Sequence, residues 1–111
     1  MSVDERLATY GTLAPGRRNH HQVAGLNGRW LTGTVRGTLA QRGWGSALGY
    51  PALTPAADGD EVEVHLFVSP DLPQHWARLD AFEGDEYRRA RIMVQTEDGP
   101  IEAWIYVDAG A

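Results

Sequence analysis

The segment Trp30-Leu31-Thr32-Gly33-Thr34-Val35-Arg36-Gly37-Thr38-Leu39 limits the fold more than any other stretch of the chain. Its β-branched and aromatic residues read as strand, yet two glycines interrupt it. Glycine inside a strand weakens it and marks a bulge, a tight bend or a close backbone approach. A strand carrying two such positions belongs to a sharply curved sheet of the kind that forms a small barrel. Other segments supply its partners. Leu7-Ala8-Thr9-Tyr10 is a short apolar strand, and residues 61–68, after the turn Asp58-Gly59-Asp60, pass from polar/apolar alternation into an apolar run. Residues 87–96 and 101–107 read as antiparallel strands around the turn Glu97-Asp98-Gly99-Pro100. Residues 41–50, with Gly43, Gly45 and Gly49, read as loop.

One clear helix accompanies these strands. Ser69-Pro70-Asp71 has helix-start chemistry, since Ser or Asp caps orphan N–H groups and Pro is tolerated in the first turn. The helix is expected to reach Phe82 or Glu83, with Gly84 ending it. Residues 21–26 leave room for at most one short helix. The prediction is an α+β fold: a small curved mixed β-sheet or barrel with one main helix. At 111 residues, 42% hydrophobic and with four tryptophans, the chain is expected to be one domain spanning 1–111 with a single packed core.

Two places can carry chemistry. In Tyr10-Gly11-Thr12-Leu13-Ala14-Pro15-Gly16, a glycine directly after a strand permits positive φ, or lets a ligand approach without meeting a Cβ. Successive N–H groups in such a turn can converge on an anion; the plain alternative is an ordinary strand-to-loop turn. It is not a P-loop, because Arg17-Arg18 stands where Lys and Ser/Thr are required. The second place is the helix. At about 100° per residue, Leu72, Trp76, Leu79 and Glu83 share a stripe roughly 60° wide. Three are apolar and the fourth is a carboxylate where a core residue is expected. Burial raises a carboxyl pKa, which suits it to general acid/base work near neutrality. Alternatively, Glu83 swings to solvent or pairs with Arg88.

Several functions are disfavoured. A net charge of −5 without a basic block argues against nucleic acid. Arg17-Arg18 and Arg88, Arg89, Arg91 read as solvated faces or partners for a small anion. No cysteine means no disulfide, thiolate metal site or cysteine nucleophile. The histidines His20, His21, His65 and His75 lack metal-ligand spacing, and Ser46 lacks the nucleophile-elbow pattern. No apolar run approaches the ~20 residues of a membrane span, and the N-terminus lacks an apolar signal core. A soluble cytoplasmic protein, monomeric or weakly dimeric, is expected. Tyr50 and Tyr87 are candidate pocket residues, and Trp30, Trp44, Trp76 and Trp104 candidate core or pocket wall.

Tyr10-Gly11-Thr12-Leu13, with Pro15-Gly16 and Asn19-His20, resembles the N-terminal signature of the gamma-glutamylcyclotransferase-like superfamily. The resemblance is to its gamma-glutamylamine cyclotransferase branch and that branch's small bacterial relatives. Leu79-Asp80-Ala81-Phe82-Glu83-Gly84, followed by Tyr87 and Arg88, is similar to a second family motif. Tyr50-Pro51-Ala52-Leu53 resembles a tyrosine-proline segment midway along such proteins, near a further strand. The resemblance implies the same fold and a metal-independent, cofactor-free reaction. Glu83 would relay a proton while the alpha-amine of a gamma-glutamyl amine or peptide attacks its own gamma-carbonyl, releasing 5-oxoproline. Tyr10, Gly11, Thr12 and Leu13 would hold the alpha-carboxylate or the oxyanion through backbone N–H groups. A non-catalytic binding module with the same pocket is the competing expectation.

Overall fold

A computed structural model describes residues 2–11, 13–41 and 51–110. In chain order they form strand β1 (Arg6–Thr9), a one-turn helix α1 (His21–Ala24), strands β2 (Arg29–Gln41), β3 (Pro51–Pro55) and β4 (Asp60–Val68), helix α2 (Trp76–Glu83), and strands β5 (Tyr87–Thr96) and β6 (Gly99–Asp108). Short 3-10 turns precede β1 at Val3–Glu5 and α2 at Leu72–Gln74. The sheet order is β3-β2-β4-β1-β6-β5, and Thr34 of β2 pairs with Gln95 of β5. That pairing closes a five-stranded mixed barrel, with β3 added to the outer edge of β2. Among the described residues the β1–β6 pair alone is parallel. This is the α+β barrel with one main helix that the sequence predicts.

Closure depends on β2, which reaches β3, β4 and β5 along its length. A Cβ on Gly33 would lie 2.6 Å from the Gln95 carbonyl oxygen and 2.7 Å from Val94 Cγ1. The glycine is there because two backbones nearly touch, and not for unusual dihedrals: its φ is not positive. Alternation then sorts the side chains into two cores. Val64, Leu66, Val94, Ala103, Ile105 and Val107 fill the barrel. Leu7, Phe67, Leu72, Trp76, Leu79 and Tyr106 pack between the barrel and α2. Residues 66–68 read as a continuous apolar run because both of their faces are covered.

The expected helix from residue 71 is split into the 3-10 turn and α2. Pro70 and Pro73 donate no N–H, and the remaining donors close three residues back: Gln74 to Asp71 at 3.2 Å and His75 to Leu72 at 2.8 Å. His75, with φ −116°, separates the pieces. Ser69 still supplies start chemistry, its Oγ accepting from the Asp71 N–H at 3.1 Å. Gly84, at φ 79°, ends α2 and donates to Asp80 O at 3.1 Å. Between β5 and β6 the turn is Glu97-Asp98 alone, with Gly99 already paired to Thr96. The helix expected at 21–26 is limited to His21–Ala24. The loop expected after Gln41, with Trp44, Ser46 and Tyr50, lies outside the described residues, as does Thr12. No helix among the described residues is long and apolar enough to cross a membrane.

Candidate active site

β1 delivers Tyr10 and Gly11 to one end of the barrel. The Tyr10 hydroxyl donates to the Tyr106 carbonyl at 2.7 Å and accepts from the Leu53 N–H at 3.0 Å. One side chain thus ties the end of β1 to β6 and β3. Burial raises the Tyr10 phenol pKa far above its ordinary value; the Leu53 hydrogen bond opposes this, and Tyr87, Glu83 and Asp108 add to it.

Gly11 is not needed for its backbone dihedrals. Gly11 does not adopt positive φ, whereas Gly16 does, at 79°. A Cβ on Gly11 would meet nothing within 4 Å. Its N–H donates to Thr9 Oγ1 at 3.3 Å, and its carbonyl accepts from the Ala14 N–H at 3.3 Å. The Leu13 side chain is buried in the outer core, leaving its backbone as the part that could face a ligand. The Leu13 carbonyl lies 3.0 Å from His20 Nδ1.

The stripe Leu72, Trp76, Leu79 and Glu83 survives the split helix, with the first three buried and Glu83 half-buried. Among the described residues the Glu83 carboxylate has no hydrogen bond or ion pair, whereas Arg36 pairs with Glu61 and Arg89 with Asp80. The alternative of a Glu83–Arg88 pair is therefore not what shapes this carboxyl. Burial pushes its pKa up to about 7, and no cation offsets it. The Glu83 charge also acts on Tyr10 and Tyr106, so the end of α2 and the end of β1 share one electrostatic neighbourhood.

A second set of residues beside Glu83 escaped the sequence reading. Tyr106 Oη donates to Asp80 Oδ1 at 2.6 Å, and Arg89 grips both Asp80 oxygens at 2.9 and 3.3 Å. Burial favours the protonated Asp80 carboxyl, but the Arg89 and Tyr106 hydrogen bonds outweigh it and lower the pKa. Burial, followed by the Asp80 hydrogen bond and charge, raises the Tyr106 phenol. The Arg89 guanidinium lies 4.5 Å from the ring centres of both Trp76 and Trp104. Reading Arg89 as part of a solvated face or a small-anion partner is thus corrected: its charge is spent on Asp80 and two indoles. An Asp three positions before Glu83 was the available sign, but nothing local names its partners. Among the described residues no three His, Asp or Glu side chains gather as a metal set.

The family model "Gamma-glutamyl cyclotransferase, AIG2-like" matches residues 7–110. No curated protein matches the chain. Among solved structures, an AIG2-like protein from Mus musculus is 20% identical, with a TM-score of 0.75, 96% of this chain and 78% of that one covered. An uncharacterized protein from Pyrococcus horikoshii is 20% identical at a TM-score of 0.66, covering 94% and 77%. YkqA from Bacillus subtilis is 25% identical at a TM-score of 0.72; the match covers 94% of this chain but 35% of YkqA. The mouse and archaeal likenesses speak for the fold, and the family match carries the two motifs and nearly all the chain between and around them. The chain belongs to the AIG2-like gamma-glutamyl cyclotransferase family.

Proposed function

We propose that the chain converts a gamma-glutamyl amine or peptide to 5-oxoproline and a free amine, with Glu83 as general acid/base. One observation carries this reading: Glu83 is a half-buried carboxylate with no compensating donor or cation among the described residues, raised to about 7 by burial. Such a group exchanges protons readily at neutral pH. Family membership and the open approach beside Gly11 support it.

Glu83 takes a proton from the substrate's alpha-ammonium. The freed amine lone pair attacks the gamma-carbonyl of the same molecule, and a C–N bond closes the five-membered ring. As the tetrahedral intermediate collapses, the bond to the leaving nitrogen breaks and Glu83 returns the proton to it; the ring nitrogen's remaining extra proton passes to the freed amine, which departs as an ammonium. Nucleophile and electrophile belong to one molecule, so orientation removes much of the barrier and one titrating group suffices. In this reading the loop that Tyr10 and Gly11 begin holds the developing oxyanion through backbone N–H groups. For that, the Gly11 N–H exchanges its 3.3 Å contact with Thr9 Oγ1 for the substrate.

The test is incubation with a panel of gamma-glutamyl amines and peptides, assayed for 5-oxoproline. Wild type should release it, and Glu83→Gln should be at least ~100-fold slower while folded. Saturable binding of the panel without 5-oxoproline release would instead make the protein a binding module with the same pocket.

A further inference from the structure

The candidate loop is held by a histidine to which the reaction above gives no part. His20 Nδ1 lies 3.0 Å from the Leu13 carbonyl oxygen. A carbonyl oxygen only accepts, so Nδ1 carries the proton and donates it. At the other end of the same peptide unit, the Ala14 N–H donates to the Gly11 carbonyl at 3.3 Å. This peptide plane is therefore gripped at its oxygen and at its nitrogen. Backbone bonds at three-residue steps lead from it back to the histidine. The Arg17 N–H donates to the Ala14 carbonyl at 3.0 Å, and the His20 N–H to the Arg17 carbonyl at 3.2 Å. The His20 ring closes this circuit onto Leu13, whose own side chain is buried.

His20 is itself fixed from three directions. Its carbonyl accepts the N–H groups of Val23 and Ala24, both at 3.0 Å, at the start of α1. Its ring centre lies 5.5 Å from that of Trp30, which stacks at 4.6 Å on buried Phe67. From α2, Arg78 donates to the Gln22 carbonyl and to Gln22 Oε1, each at 2.9 Å, which ties α1 to the helix carrying Glu83. We propose that His20 is a positioning residue: its Nδ1–H holds the Leu13–Ala14 peptide so that the loop offers the substrate N–H groups instead of carbonyl oxygens. This assignment rests on the cyclotransferase reading of the site. A peptide plane that turns over exchanges its oxygen for its N–H. Without His20 the Leu13 carbonyl is free to turn, and the Gly11 carbonyl then loses its Ala14 donor as well. Either oxygen repels the oxyanion formed during ring closure. That charge develops only on the way to the tetrahedral intermediate, so the loss falls on kcat and spares KM.

Two substitutions separate the donor from the ring. Asn carries an N–H where His has Nδ1 but has no ring for Trp30; Phe keeps a ring and has no donor. In turnover of a gamma-glutamyl amine, His20→Phe should lower kcat by about 10–100-fold and leave KM within a few-fold. His20→Asn should recover most of that kcat per folded molecule, with the folded fraction of each variant read from thermal melts. If packing on Trp30 were the whole role of His20, His20→Phe would be the more active of the two. A kcat for His20→Asn no higher than that for His20→Phe overturns the assignment while cyclotransferase activity stands. Nitrogen NMR of the wild type at about pH 8.5, where an imidazole is neutral, should find the His20 ring proton on Nδ1. A ring proton on Nε2 overturns the assignment without any variant having to fold. A wild type that makes no 5-oxoproline from the panel overturns the reaction and this assignment together.

Discussion

At Glu83 stability and chemistry pull in opposite directions. Its carboxyl titrates near 7 in the folded protein against an ordinary 4.5. Between those values the native state holds a proton that the unfolded chain has released, so stability falls as pH rises through the window and then levels off. The full penalty is of order 1–3 kcal/mol for a group that keeps some contact with water. Glu83→Gln has no such penalty. Its stability advantage over wild type should grow from pH 4.5 to 7 in urea unfolding of both proteins; an advantage that shrinks over this range would mean Glu83 is held as an anion. For wild type, kcat/KM should rise through about pH 7 as the carboxyl becomes a base. Gly11 is the complementary case. A Cβ there meets nothing, and the backbone needs no positive φ. Gly11→Val should therefore melt within a few degrees of wild type yet lose 5-oxoproline binding in calorimetry, because its methyls occupy the ligand's approach. A variant that binds normally would remove the loop from the site.

Helix α2 does more than carry Glu83. Its buried Trp76 donates through Nε1 to the Asp4 carbonyl at 2.9 Å, and Trp104 of β6 donates to Asp4 Oδ1 at 2.8 Å. Arg89 of β5 lies over both indoles and holds Asp80 of α2, which in turn accepts from Tyr106 of β6. The helix is thereby fixed to β5 and β6 by polar contacts as well as by its apolar stripe. Ion pairs this exposed contribute little, while each cation–π contact is worth about 0.5–1 kcal/mol. Arg89→Gln should cost about 1–3 kcal/mol in chemical denaturation, more than Asp80→Asn, because it removes both kinds of contact. The lowered Asp80 carboxyl adds a term present above its unfolded pKa and lost on acidification. Asp80→Asn should therefore weaken the loss of stability below about pH 4. An Arg89→Gln protein as stable as wild type would show that the apolar stripe alone seats the helix.

Over the whole molecule, one register position closes the barrel. Thr34 meets Gln95 beside Gly33, where any Cβ would fall 2.6 Å from a backbone oxygen. Gly33→Val must part β2 from β5 and should cost at least ~2–3 kcal/mol, with faster hydrogen exchange around Gln95. A Gly33→Val protein as stable as the Gly11→Val one would mean closure is not needed for folding. These two glycines, alike in the sequence, are opposite in space. Whatever repeats within a few residues was legible without coordinates: the two-residue period of β4, the turn before it, the glycine end of α2, and the stripe that carries Glu83 inward. Local sterics and side-chain direction determine those features. The motif resemblance brought the loop and Glu83 together as one candidate site. The Asp80–Arg89–Tyr106 link and the pairing of Thr34 with Gln95 that closes the barrel were not legible. Each depends on which strands become neighbours and in what register. That choice is made by packing between residues far apart in the chain, so the tertiary structure alone decided it.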